Sequence, residues 1–125
     1  MGSKGKGYRT VDVGEGWEAL VGRSDADNDE LTFRVAAKGD YWLHAGGGTP
    51  GSHVVLRHPE GGDPPREVLE RAAQLAAWYS KARGAPRTEV HYCKAADISK
   101  MPGAPRGQVR LRRFKKVKVA PSRLD

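Results

Sequence analysis

One stretch of this chain is built for a helix of several turns, and that narrows the possible folds more than any other feature. From Asp63 to Arg83, the residues Val68, Leu69, Ala72, Leu75, Ala76 and Tyr79 recur at three- and four-residue spacing. Glu67, Glu70, Arg71, Gln74 and Lys81 fall mostly outside that stripe. Asp63 or Pro64 suits the start of such a helix, where a missing N–H costs nothing, and Gly84 and Pro86 suit its end. Its alanines let it lie close on a sheet, so the stripe reads as core packing. Elsewhere sixteen glycines and eight prolines in 125 residues cut the chain into short pieces. That leaves strands as the other building block.

The strands are read from alternation and short apolar runs. Residues 17–22 (WEALVG) form a first candidate, and 23–29 (RSDADND) read as a turn. Residues 30–36 (ELTFRVA) place Leu31, Phe33 and Val35 on one side and Thr32, Arg34 and Ala36 on the other, so a half-buried strand is expected. Residues 41–45 (YWLHA) and 53–57 (HVVLR) are two more, separated by a glycine loop at 46–51. After the helix, residues 88–94 (TEVHYCK) alternate Val90 and Tyr92 against Glu89, His91 and Cys93. The last run, 108–119, keeps Val109, Leu111, Val117 and Val119 in one phase and Arg110, Arg112, Phe114, Lys116 and Lys118 in the other. Arg113 and Lys115 interrupt the apolar phase, so a bulge or turn is expected near the middle. The order of elements predicts an α+β fold: a mainly antiparallel sheet with one principal helix packed on one face. One domain is expected at 16–120, after a flexible leader at 1–15 and before a short tail at 121–125.

Charge directs the functional reading. Residues 94–125 carry ten Lys and Arg against two Asp, which accounts for the whole net charge of +7. A surplus confined to one segment fits a polyanion-binding face, nucleic acid first, although a solvated basic tail has the same composition. No apolar run is long enough for a membrane span and no secretory signal is visible, so a cytoplasmic protein without a membrane partner is expected. One cysteine, Cys93, gives neither a disulfide framework nor a structural zinc site.

Three familiar chemistries fail on residue type or spacing. Gly46 and Gly51 have the separation of a nucleotide-binding phosphate loop, but Ser52 stands where its lysine belongs and a strand follows instead of a helix. A backbone nest for a single phosphate remains compatible with the glycines, as does a plain connection. Ser52, His44 and Asp40 supply the residue types of a hydrolytic triad, yet the glycine of the nucleophile elbow is missing. His44, His53 and His58 lack metal-ligand spacing, so neither metal nor cofactor is expected. Nucleic-acid binding draws on several features together: the basic C-terminal run, Phe114 and Tyr92 as stacking surfaces, Arg23 and Asn28 in a turn, and the glycine loop.

Those residues also carry a resemblance. The segments 21–57, 65–83 and 90–109 resemble the NFACT-R domain of NFACT ribosome quality-control proteins. The shared pattern comprises Gly22, Arg23, Asn28 and Asp29, then Asp40, Trp42 and His44, then Pro50 to Val54. Ala72, Ala73, Tyr79 and Ser80 follow, and then Lys100, Pro102 and Gly103. It covers about residues 17–120. The resemblance implies RNA binding without catalysis, with transfer RNA or ribosomal RNA and the large ribosomal subunit as partners. The N-terminal domain, helical hairpins and coiled coil of full NFACT proteins have no counterpart here, so a stand-alone module is expected, one able to serve tRNA modification such as thiolation as an RNA-holding partner. The expected RNA-binding surface joins Arg23, Asn28, Asp40, Trp42, His44, Gly51, Ser52, His53, Lys100, Arg110, Arg112, Phe114, Lys116 and Lys118. Asp40, Trp42 and His44 are expected to organise that surface. Two alternatives are an RNA-modifying enzyme using His44, His53 or Cys93, and an adaptor docking on a ribosomal protein.

Overall fold

The structure, a computed structural model, describes residues 7–46 and 48–124. The first six residues of the expected leader, Gly47 of the glycine loop and Asp125 of the tail lie outside the described residues. Strands β1 (Arg9–Gly14), β2 (Trp17–Val21), β3 (Tyr41–Ala45), β4 (Val54–Arg57), β5 (Thr88–Lys94) and β8 (Lys115–Val119) form one six-stranded sheet. Their order is β1-β2-β4-β3-β5-β8, and every neighbouring pair is antiparallel. A separate two-stranded ribbon pairs β6 (Ile98–Ser99) with β7 (Arg110–Leu111). The α+β class and the antiparallel sheet are as expected.

Helix α2 (Arg66–Trp78) covers one face of the sheet. Its Val68, Ala72, Leu75 and Ala76 are fully buried against Leu43, Val54, Leu56, Val90 and Val119. Each buried Val or Leu there contributes roughly 1.5–3 kcal/mol of transfer free energy. The helix ends at Trp78, well before Gly84 and Pro86, and the loop before β4 bonds the residues that follow it. Ser52 N donates to Tyr79 O at 2.9 Å, Lys81 N donates to Pro50 O at 2.9 Å, and Gly51 bridges Ser80.

The opposite face is also covered, which the expected single helix did not provide for. Residues 30–36, expected as a strand, belong to a helix instead. Helix α1 (Asp25–Glu30) starts at Ser24, whose Oγ accepts from Asp27 N at 3.1 Å, and runs into a wider turn at Leu31–Val35 closed by Ala36 N to Leu31 O. The alternation of Leu31, Phe33 and Val35 was misleading because the buried stripe is half polar: Asn28, Leu31, Thr32 and Val35 recur at helical spacing, while Phe33 is exposed. Leu31 packs with Trp42, Val55 and Cys93, and Ile98, Val109 and Leu111 of the ribbon join them. Within the expected leader, residues 9–14 form β1, hairpinned to β2 through Gly14, Glu15 and Gly16, all at positive φ. Glycine supplies two of those three left-handed positions at no steric cost.

The basic run 108–119 is not one strand. It breaks at 112–114, as its interrupted phase predicts, and its two halves serve opposite faces. Val109 and Leu111 pack on the α1 side, whereas Val117 and Val119 pack on the α2 side. The expected single basic face is therefore divided between the ribbon and the sheet edge.

Candidate nucleic-acid interface

Pleating puts alternate residues of β3, β5 and β8 on the face away from α2. In register, Trp42 faces Cys93, His44 faces His91, and His91 faces Lys116. A row of His44, His91 and Lys116 thus crosses three strands on that face. Phe114 stacks on His91 with ring centroids 4.4 Å apart, and Lys118 lies one step along the edge strand opposite Glu89. Glu89 Oε2 is within 2.7 Å of His91 Nε2 and 3.8 Å of Lys116 Nζ. The bond from His91 holds the Glu89 carboxyl below its ordinary range.

Behind this row stands a buried polar chain. Trp42 Nε1 donates to Thr32 Oγ1 at 3.0 Å, and Thr32 Oγ1 lies 2.8 Å from His53 Nδ1. His53 Nε2 is 3.2 Å from Gly107 O. A carbonyl only accepts, so Nε2 carries the proton; Nδ1 then accepts from the Thr32 hydroxyl, which itself accepts from Trp42. Asn28 is spent as well, its Oδ1 accepting from His53 N at 3.0 Å and its Nδ2 donating to Gly51 O at 3.4 Å. Burial lowers the His53 pKa to about 4, with His44 as the next cause. His44 is lowered too, mainly by burial. Both imidazoles are neutral at pH 7, and His44 lies over Trp42 at 5.8 Å with its ring tilted 24°.

These groups line a hollow of 570 Å³. Trp42, His44, His53 and His91 form one side, residues 48–51 a second, and residues 105–109 a third. A Cβ on Gly46 would lie 2.4 Å from His91 Nε2, so a side chain there would have to displace the His91 ring. A second hollow of 440 Å³ meets the first at Asp25, Pro50 and Gly51, and carries Arg9, Arg23, Ser52, Lys81 and Arg83.

The expected site residues therefore separate into groups. Trp42, His44, Gly51 and His53 line the first hollow, and Arg23, Asn28, Gly51 and Ser52 line the second. Phe114, Lys116 and Lys118 are exposed along the sheet edge, and Arg110 and Arg112 are exposed beside the ribbon. Asn28 and His53 are framework, 4% and 1% exposed. Asp40 stands apart: its carboxylate accepts from Arg57 Nη2 at 2.8 Å and from Ala37 N at 2.9 Å, at the far end of β3 from His44. Four residues of strand separate the two by about 13 Å, so Ser52, His44 and Asp40 do not assemble as a triad. Lys100 is turned inward, with Nζ donating to Asp29 Oδ2 at 3.1 Å, Pro105 O at 2.5 Å and Gln108 O at 3.2 Å. Asp29 Oδ1 also accepts from Gly107 N, so this pair fixes the loop that carries Arg106. Cys93 is buried, which pushes its thiol pKa up to about 12, so little thiolate forms at neutral pH.

Sequence reasoning missed His91, Arg106 and Gln108 as site residues. His91 shares the phase of Cys93, and its value emerges only when β3 and β8 flank it. Among the described residues, no group of three or more His, Cys, Asp or Glu is arranged to hold a metal ion, and no helix is long and apolar enough to cross a membrane.

Comparison with known proteins places the chain among relatives of one family. The family described as the NFACT protein RNA binding domain matches residues 8–113. The Rqc2 homolog RqcH of Streptococcus suis is 43% identical over 103 residues, which is 82% of this chain and 18% of that protein. The Rqc2 homolog RqcH of Bacillus subtilis is 40% identical over 100 residues, 80% of this chain and 17% of that protein. The chain thus spans under a fifth of the length of these curated relatives. A solved structure, that of the C-terminal of the fibronectin/fibrinogen-binding protein from Streptococcus suis, superposes with a TM-score of 0.85 at 39% identity, covering 94% of this chain and 46% of that one.

Proposed function

The chain belongs to the NFACT RNA-binding domain family, and from that premise we propose that it is a non-catalytic RNA-binding module contacting transfer RNA or ribosomal RNA in translation quality control, on or near the large ribosomal subunit. The observation that carries the proposal is the registered row His44, His91 and Lys116 with Phe114 stacked on His91, an aromatic and basic strip whose Phe114 and Lys116 are exposed. Phosphates would lie along Lys116 and Lys118, with Arg110 and Arg112 beyond the break and Arg23 across the glycine loop. The lysines hold the RNA without reading it, because phosphate contacts position and base contacts specify.

Catalysis has little support in these side chains. Asp40 is committed to Arg57, the Cys93 thiol stays protonated, and His53 has both ring nitrogens bonded internally.

The test is a gel-shift titration with transfer RNA and with fragments of large-subunit ribosomal RNA, each at several salt concentrations. Affinity should fall linearly on a log–log plot against salt, and the tighter RNA identifies the partner. Binding absent from both RNAs, or insensitive to salt, would sink the proposal. Mass spectrometry of the recovered RNA should find its nucleosides unchanged; a new nucleoside would restore the enzyme alternative.

A further inference from the structure

The 570 Å³ hollow has no role in a purely phosphate-bound complex, yet its size falls in the roughly 300–1,000 Å³ range of small-molecule sites. Its floor is the wrong chemistry for an anion. Trp42, His44 and His53 meet there ring to ring, with centroids 5.0–5.8 Å apart. The Trp42–Thr32–His53–Gly107 chain holds the His53 ring in its neutral form, with every polar atom turned to the protein. Among the described residues lining the hollow, Arg106 is the one Lys or Arg and Asp25 the one carboxylate, and Asp25 lies against Gly107. Positive charge stands instead on Arg106 in the 105–109 wall and, just outside the lining, on Lys116, which faces His91 and shares the Glu89 carboxylate with it. Neutral flat rings on the floor and cations away from it complement a nucleotide entered base first.

We infer that this hollow receives a single unstacked nucleobase from a bulge, loop or single-stranded end of RNA, stacked against His44. The inference rests on the RNA-binding reading and names the element of RNA that the site selects. Duplex RNA keeps its bases stacked and presents backbone, whereas an extruded base offers a π face to an aromatic ring and its hydrogen-bonding edge to side chains. Thr49 and Gln108 line the walls, and both residue types donate and accept at a base edge. His91, braced by Phe114, stands where the neighbouring nucleotide leaves the hollow.

The experiment compares three hairpin RNAs on the full chain: one with 2-aminopurine at a single bulged position, one with an abasic residue there, and one fully paired. Insertion beside His44 should quench 2-aminopurine fluorescence on binding. The abasic hairpin should bind more weakly by roughly 5- to 150-fold, the range measured for one base stacked on an aromatic side chain. His44→Ala should abolish the quenching and His44→Phe should keep it; should either variant fail to fold, the abasic comparison still decides with the unaltered protein. Equal affinity for all three hairpins without quenching overturns the inference and leaves RNA binding standing. Binding to none of them overturns the inference together with the reading beneath it.

Discussion

His53 has a partner on every polar atom: its backbone N–H on Asn28, its carbonyl on Gly22 N, and its two ring nitrogens on Thr32 and Gly107. That network holds a neutral ring, and the consequence for stability has a definite sign. In the unfolded chain the imidazole titrates near 6.5, in the fold at about 4, so between those values the unfolded state binds more protons. Stability should therefore fall as pH drops from 7 to 4.5, by ~2–3 kcal/mol from this residue, with His44 adding loss in the same direction. Urea unfolding at a series of pH values measures it, and His53→Gln should flatten the slope. Thr32→Val removes the hydroxyl that joins Trp42 to His53. It should cost about 2 kcal/mol or more, since two buried groups lose a partner, while Thr32→Ser should restore most of that stability.

Among the elements, the glycine loop crosses the end of α2 close against its backbone. A Cβ on Gly51 would sit 2.6 Å from Ser80 Cβ and 2.9 Å from its Cα, which is backbone and cannot swing aside. Gly51→Ala should destabilise the protein by about 1–3 kcal/mol and displace the Gly51 carbonyl that Asn28 binds, as thermal unfolding and amide exchange of residues 50–52 would record. The strands that line the site were legible in the sequence, because 88–94 alternates and 41–45 and 53–57 are short, largely apolar runs. Their pairing was not, since register is set by contacts between distant segments. The 31–35 helix was missed for a different reason. Its inner stripe includes Asn28 and Thr32, polar residues that look like an outer face until His53 and Trp42 are seen beside them. Ser24 followed three residues later by Asp27 was the available signal of a capped helix start. The 108–119 run showed its break in sequence, but alternation within one chain carries no information that its halves would turn to opposite faces.

For the molecule as a whole, net charge has to be divided by location before it says anything about RNA. Lys100 and Lys116 looked equivalent as members of one basic surplus; which carboxylate a lysine meets 71 positions away is not written in its neighbours. In the fold, Lys100 closes an internal staple between Asp29 and the 105–108 loop, while Lys116 and Lys118 stand on the edge strand with exposed side chains. The two kinds of lysine should fail differently. Lys100→Gln loses charge-assisted bonds to Asp29, Pro105 and Gln108 and should lower stability by about 1.5–3 kcal/mol, leaving the salt dependence of RNA binding at its original slope once enough folded protein is present. The pair Lys116→Gln and Lys118→Gln should leave the melting temperature nearly unchanged, because exposed ion pairs contribute little. It should weaken binding to all RNAs alike and reduce the slope of log affinity against log salt by about 1 per lysine that touches phosphate. Melting curves and salt titrations on the same preparations separate the outcomes: a slope unchanged in the double variant would mean that the edge strand does not touch phosphate and that the RNA lies instead along the Arg9, Arg23 and Lys81 hollow.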